Sequence, residues 1–155
     1  MAAETFTFNI AKGRVVEFFN RVDKNEPSGS VIVVVPMKEL NTKSEGQDSD
    51  TLAAVEALGS FAEQKEGWER VVLDDSKIAS IAVDDANDRF PATLPEVEFN
   101  EPTSGKNLQG FLICYDPKAG EGEDSEIIPL TAHAKTVTAD GNDVIIKEGE
   151  VFRAS

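Results

Sequence analysis

The stretch GFLICYDPKAGEGEDSEIIPLTAH, Gly110 to His133, contains the chain's only cysteine (Cys114), its only tyrosine (Tyr115) and its only histidine (His133). It also carries Ser125 and the carboxylates Asp116, Glu121, Glu123, Asp124 and Glu126. Two organisations compete for it: a nucleophile with its base, or two strands joined by an acidic turn. A Ser/His/Asp arrangement would join Ser125 and His133 to Asp116 or Asp124, and a Cys/His arrangement would join Cys114 to His133. Either needs an activated nucleophile and donors ready for an oxyanion. Ser125 stands in EDSEI and not in a G-x-S-x-G elbow, among carboxylates that oppose a developing oxyanion. Cys114 stands in the apolar run FLICY, where a free cysteine behaves as a small buried hydrophobe, and acidic neighbours raise a thiol pKa. The stretch reads as strand, acidic turn, strand.

The segments on either side extend this pattern. LQGFLICYD (Leu108 to Asp116) is a strongly apolar strand, and IIPLTAH and AKTVTA follow as strand candidates. Asp140-Gly141 lies between β-rich runs and predicts a hairpin, because a tight turn needs positive φ that Gly and Asp tolerate. DVIIKEG and EVFRA then complete a strand-rich C-terminal half. Upstream, VVLDD, KIASIAV and EVEF are short strand candidates, while Asp84 to Pro102 carries three prolines and reads as an irregular crossing.

The N-terminal half changes period. TFTFNI alternates, with Phe6, Phe8 and Ile10 on one side, as a half-buried strand or an extended arm over residues 1–10. Val15, Phe18, Phe19 and Val22 then fall at i, i+3, i+4 and i+7, the stripe of an amphipathic helix that Asn9 would cap. VIVVVP has five consecutive β-branched residues, which suit a strand covered on both faces and closed by Pro36. After a polar loop from Lys38, Asp50 to Gln64 predicts a second helix capped by Asp50. Helices in front and strands behind favour α+β: two amphipathic helices in the N-terminal half packed on a mixed, mainly antiparallel sheet. At 155 residues without repeat or long linker, one domain over 1–155 accounts for the chain.

Charge narrows the functional classes. Lys and Arg number 15 against 29 Asp and Glu, a formal net charge of −14. Such a surface repels phosphate backbones and anionic lipid heads, so neither nucleic acid nor membrane is an expected partner. Eleven acids against three bases between Asp84 and Glu126 place over half of that excess in one stretch. The bland account is a well-solvated face; the sharper one is an outward surface that keeps an assembled particle soluble. One cysteine forms no internal disulfide. No apolar run reaches the roughly 20 residues of a membrane helix, and MAAETFTFNIAKG lacks the basic and apolar regions of a signal peptide.

Metal and phosphate motifs fail on their spacing. Asp84, Asp85, Asn87 and Asp88 cluster in VDDANDRF, but Arg89 and Phe90 occupy positions that a calcium loop reserves for an acidic or amide ligand and a glycine. GEGED could wrap a hard cation only loosely, and one His with one Cys cannot close a zinc site. TSGKN has the Gly-Lys pair of a phosphate loop, yet lacks its earlier glycine and its Ser/Thr. No metal, cofactor or catalytic residue is assigned.

NIAKGRVVEFFNRV followed by VIVVV, VVLDD with VDDANDRFPATLP, FLICYDP, DSEIIPLTAH and the closing VFRAS together resemble a family of small virion proteins of tailed bacteriophages. The resemblance runs from about Asn9 to Ser155, in several segments in order. It implies a structural virion component, foremost a decoration (cement) protein on the capsid exterior, with a head–tail connector or tail component as the alternative and a small hydrolase as a remote one. The partner it implies is the major capsid protein. Symmetric self-association, with a trimer favoured, would multiply weak contacts. Phe6, Phe8 and Ile10 are the contact residues expected for a neighbour, adding a strand to its sheet edge, with an edge strand of the chain's own sheet as the other account.

Overall fold

The fold was described from a computed structural model covering residues 3–78, 86, 90–118, 121–147 and 149–154. Its centre is β2 (Val31–Glu39) paired antiparallel with β7 (Leu108–Asp116), in a register running from Val31 opposite Asp116 to Met37 opposite Gly110. β8 (Ile128–Val137) flanks β7 on the far side, and β1 (Phe6–Thr7) lies beyond it, Phe6 opposite Ala132. On the other side, β3 (Ala62–Glu63) and β4 (Val71–Leu73) pair with successive stretches of β2. Two ribbons complete the β structure: β5 (Phe90–Leu94) with β10 (Gly149–Ala154), and β6 (Val97–Phe99) with β9 (Val144–Ile146). Every strand pair among the described residues is antiparallel. The chain is α+β and strand-rich, with three α-helices among the described residues.

Both faces of the main sheet are covered, as the unbroken apolar run of β2 requires. Strand side chains alternate between faces. Ile32 and Val34 point into one core with Phe111, Ile113 and Tyr115 of β7, covered by helix α1 (Val15–Asp23), Trp68, Leu94 and Phe99. Val31, Val33, Val35 and Met37 point the other way, with Leu112 and Cys114, beneath Phe6, Phe8, Leu52, Val55 and Phe61. The predicted stripe of α1 is buried along its whole length: Val15, Phe18, Phe19 and Val22 are all at most 1% exposed. Arg14 and Arg21 lie over the outer face of Phe18, 4.7 and 5.3 Å from its centroid, while Tyr115 packs against it. Each aromatic ring so buried contributes on the order of 2–3 kcal/mol.

Several expectations are corrected. Pro36 does not close β2. Its carbonyl accepts from Gln64 N at 3.0 Å, so its nitrogen faces the same side, between the stretches that β4 and β3 occupy, where a missing donor costs little. The second helix is much shorter than Asp50 to Gln64. α3 covers Leu52–Ala57, capped by the Thr51 hydroxyl accepting from Ala54 N at 3.1 Å and not by Asp50. Gly59 turns the chain left-handed at φ 74°, a common helix stop, and Phe61 enters the core from beyond the helix. The predicted polar loop contains one helical turn, α2 (Lys43–Gly46), where the Thr42 hydroxyl donates to Glu45 Oε1 at 2.9 Å.

Asn9 does not cap α1. It opens a short 3-10 turn (Asn9–Ala11), and its side-chain amide donates to Asp48. IIPLTAH and AKTVTA form one continuous strand, β8. Asp140-Gly141 is a turn, with Gly141 at φ 88°, but β9 leaves it to pair with β6, so no hairpin forms there. β5 falls inside the expected irregular crossing, since β10 supplies it with a partner. The KIASIAV strand lies beyond the described residues after Ile78.

Candidate functional site

The two halves of the quoted stretch form β7 and β8, and the geometry separates their chemical groups. Cys114 is fully buried on the sheet face under Phe8 and Val55. Desolvation pushes its thiol far up, which keeps it protonated. His133 pairs across the ladder with Phe111, whose side chain belongs to the opposite face. The imidazole stacks on that ring at 5.2 Å, and Nε2 lies 2.8 Å from the Thr131 hydroxyl. Burial lowers its pKa to about 4. Cys114 and His133 therefore lie on opposite faces of one sheet, and Ser125 is exposed in the turn before β8. None of the three is joined to another as nucleophile and base.

The acidic turn is itself organised. Asp116, fully buried at the end of β7, accepts from Lys118 N at 2.8 Å and Gly122 N at 3.2 Å. A Cβ at Gly122 would collide with the Asp116 carboxylate, so that carboxylate and the glycine specify each other. The loop then docks on α3, where Leu52 N donates to Ile127 O and Ala53 N to Asp124 O, at 2.9 and 3.0 Å. The helix end's free N–H groups are thereby satisfied by the loop.

Among the described residues, one close set of ionisable groups lies where this loop meets α3 and β3. Arg70 spreads its guanidinium over two carboxylates, with Nε and Nη2 donating to Glu63 at 2.8 and 2.7 Å and Nη1 and Nη2 to Asp124 at 2.8 and 3.2 Å. Glu63 is nearly sealed, with 6% of its side chain exposed, against 25% for Arg70 and 32% for Asp124. Its hydrogen bond to Glu63, with Asp124 adding to it, holds the guanidinium firmly charged. The Arg70 hydrogen bonds lower the Asp124 pKa. Glu56, on α3, adds a third carboxylate, and oxygens of Glu56, Glu63 and Asp124 lie within 4.8 Å of one another. Desolvation first, and the neighbouring Glu63 second, raise the Glu56 pKa. Asp124 was weighed from sequence as a triad acid; its partner is Arg70. Four residues from four separate segments meet here, and no local spacing in the sequence announces it.

A cleft of about 560 Å³ lies beside this network, lined by Lys65, Trp68, Arg70, Lys77, Glu98 and Glu101 among others. Its cations and acids are interleaved, so it carries no uniform charge for an ionic ligand. TSGKN forms a turn outside this lining. Gly105 has φ 84° and donates to Ala139 O at 2.9 Å, while Lys106 O accepts from Trp68 Nε1 at 2.7 Å. A structural turn thus accounts for the Gly-Lys pair. Asp84, Asp85, Asn87 and Asp88 lie outside the described residues.

Phe6 and Phe8, expected to contact a neighbour, are 7% and 0% exposed and pack in the chain's own core, with Ile10 alongside. β1 adds a strand to β8 of the same chain, and Thr5 Oγ1 accepts from Ala134 N at 3.0 Å. In this conformation the two rings are committed within the chain. Among the described residues no helix is long and apolar enough to cross a membrane. Comparison with protein-family profiles, curated proteins and solved structures finds no match to this chain.

Proposed function

We propose that this chain is a structural virion protein that binds the exterior of a tailed-phage capsid and stabilises the shell, as a decoration protein. The observation that carries this reading is the ordered resemblance of several segments, from NIAKGRVVEFFNRV to VFRAS, to small head-module virion proteins. The −14 charge agrees with a surface turned to solvent and away from packaged DNA. Glu121, Glu123 and Ser125 are exposed on the β7–β8 loop, as an outward acidic face requires. The protein acts by binding energy: contacts shared with the major capsid protein favour the assembled state by mass action. A trimer would strengthen attachment without strong single contacts. Phe6 and Phe8 pack within the chain's own core, which leaves its other exposed surfaces for these contacts.

The test mixes purified protein with particles that lack it, then follows uptake by electron microscopy and genome release on heating. Many copies spread over the shell, with release shifted to higher temperature, are the expected result. Particles that take up none and release at an unchanged temperature overturn the reading, and a single ring at one vertex replaces it with a connector.

A further inference from the structure

Beside the backbone bonds that dock the acidic β7–β8 loop on α3 lies a cluster of side chains whose charges do not balance. Glu56, Glu63 and Asp124 bring three carboxylates to one cation, Arg70. Arg70 spends its donors on Glu63 and Asp124. None of these bonds reaches Glu56, whose Oε1 is sealed from solvent without a hydrogen-bond partner among the described residues. With all three ionised, the cluster would hold two uncompensated negative charges in a partly buried space. A proton on Glu56 removes one of them and turns a repelling carboxylate into a donor toward its neighbours.

The groups facing Glu56 come from every element around it. Glu63 lies on β3 with Lys65 just beyond, Arg70 precedes β4, and Asp124 stands on the β7–β8 loop. Cys114 on β7 lies within the field of the same charges and is itself neutral. Lys65 acts on Glu56 only through space, without an ion pair among the described residues. Raising the Glu56 pKa is therefore the work of desolvation and the two other carboxylates, with Lys65 opposing weakly.

We propose that a proton held by Glu56 against Glu63 and Asp124 latches the acidic β7–β8 loop onto helix α3, and that its loss on raising the pH loosens the loop. The proposal stands independently of the capsid reading. Its sign follows from linkage. The folded protein binds this proton more tightly than the unfolded chain does. The latch is complete below the ordinary glutamate value and is lost as the pH rises through the higher folded value. Asp124 acts oppositely. Its bond to Arg70 is present above the ordinary aspartate value and is lost as the pH falls through its lowered folded one. The loop is thus held within a window of pH, with Glu56 setting the upper edge.

Carboxyl-carbon NMR on the intact protein reads this directly. Glu56 is expected to titrate above the exposed glutamates, and the amides of Asp124, Ile127 and Ala53 are expected to shift with the same midpoint. Glu56→Gln keeps a donor and removes the charge, so in that variant the three amides hold their docked shifts through the same range. If Glu56 titrates together with the exposed glutamates, or titrates high while those amides stay still, the latch is refuted. An unchanged amide titration in Glu56→Gln refutes it as well.

Discussion

His133 shows how burial alone converts a candidate base into a core residue. Stacked on Phe111 and held by Thr131, it has a pKa of about 4 in the fold against 6.5 ordinarily. Between those values the unfolded chain binds the extra proton, so stability is complete above about 6.5 and falls as the pH drops toward 4. Thermal melts across this range are expected to decline in the native protein, and the part of the slope due to this ring is expected to vanish in His133→Gln. A His133 ring that titrates near 6.5 by NMR would contradict the packing described. From sequence, the apolar run and acidic neighbours of Cys114 and the lack of an elbow at Ser125 argued for structure over chemistry, and the two-faced sheet separates Cys114 from His133. What could not be seen was Arg70. Its partners Glu63 and Asp124 stand seven and 54 positions away, and no periodicity links them.

At the scale of elements, local pattern predicted best where one element alone decides its own burial. The α1 stripe is complete because i, i+3, i+4, i+7 spacing suffices to define a face. β7 read correctly, and β2 was found though its end was placed too early at Pro36, because their apolar runs are long. The second helix was overextended because Phe61 continues the helical spacing past Gly59, yet its burial comes from the core beneath the sheet. The N-terminal segment carries a direct test. Phe6 and Phe8 cover Val33, Leu112 and Ala132, so removing residues 1–8 uncovers one face of the sheet. That deletion is expected to cost at least about 3 kcal/mol, the scale of losing one buried aromatic ring. Equal unfolding midpoints for the full and shortened chains would mean that the segment is a free arm.

Across the whole molecule, a formal charge of −14 works against compaction. Surface ion pairs such as Arg14–Glu17, Lys106–Glu66 and Lys118–Glu126 are solvated and contribute little. Screening should therefore relieve more repulsion than it removes attraction. Raising salt from about 10 mM to about 150 mM is expected to stabilise the fold by on the order of 1 kcal/mol, or about 2–4 °C in melting temperature. A melting temperature that falls with salt would show that attractive pairs dominate. The sequence by itself determined the α+β class, the central strands, the first helix and the anionic character, because composition and short-range periodicity are properties of contiguous residues. Only the tertiary structure decided which strands pair, where Phe6 and Phe8 lie and how Arg70 gathers its carboxylates. Each of those depends on segments brought together across the chain, and the order of residues along it does not record which surfaces will meet.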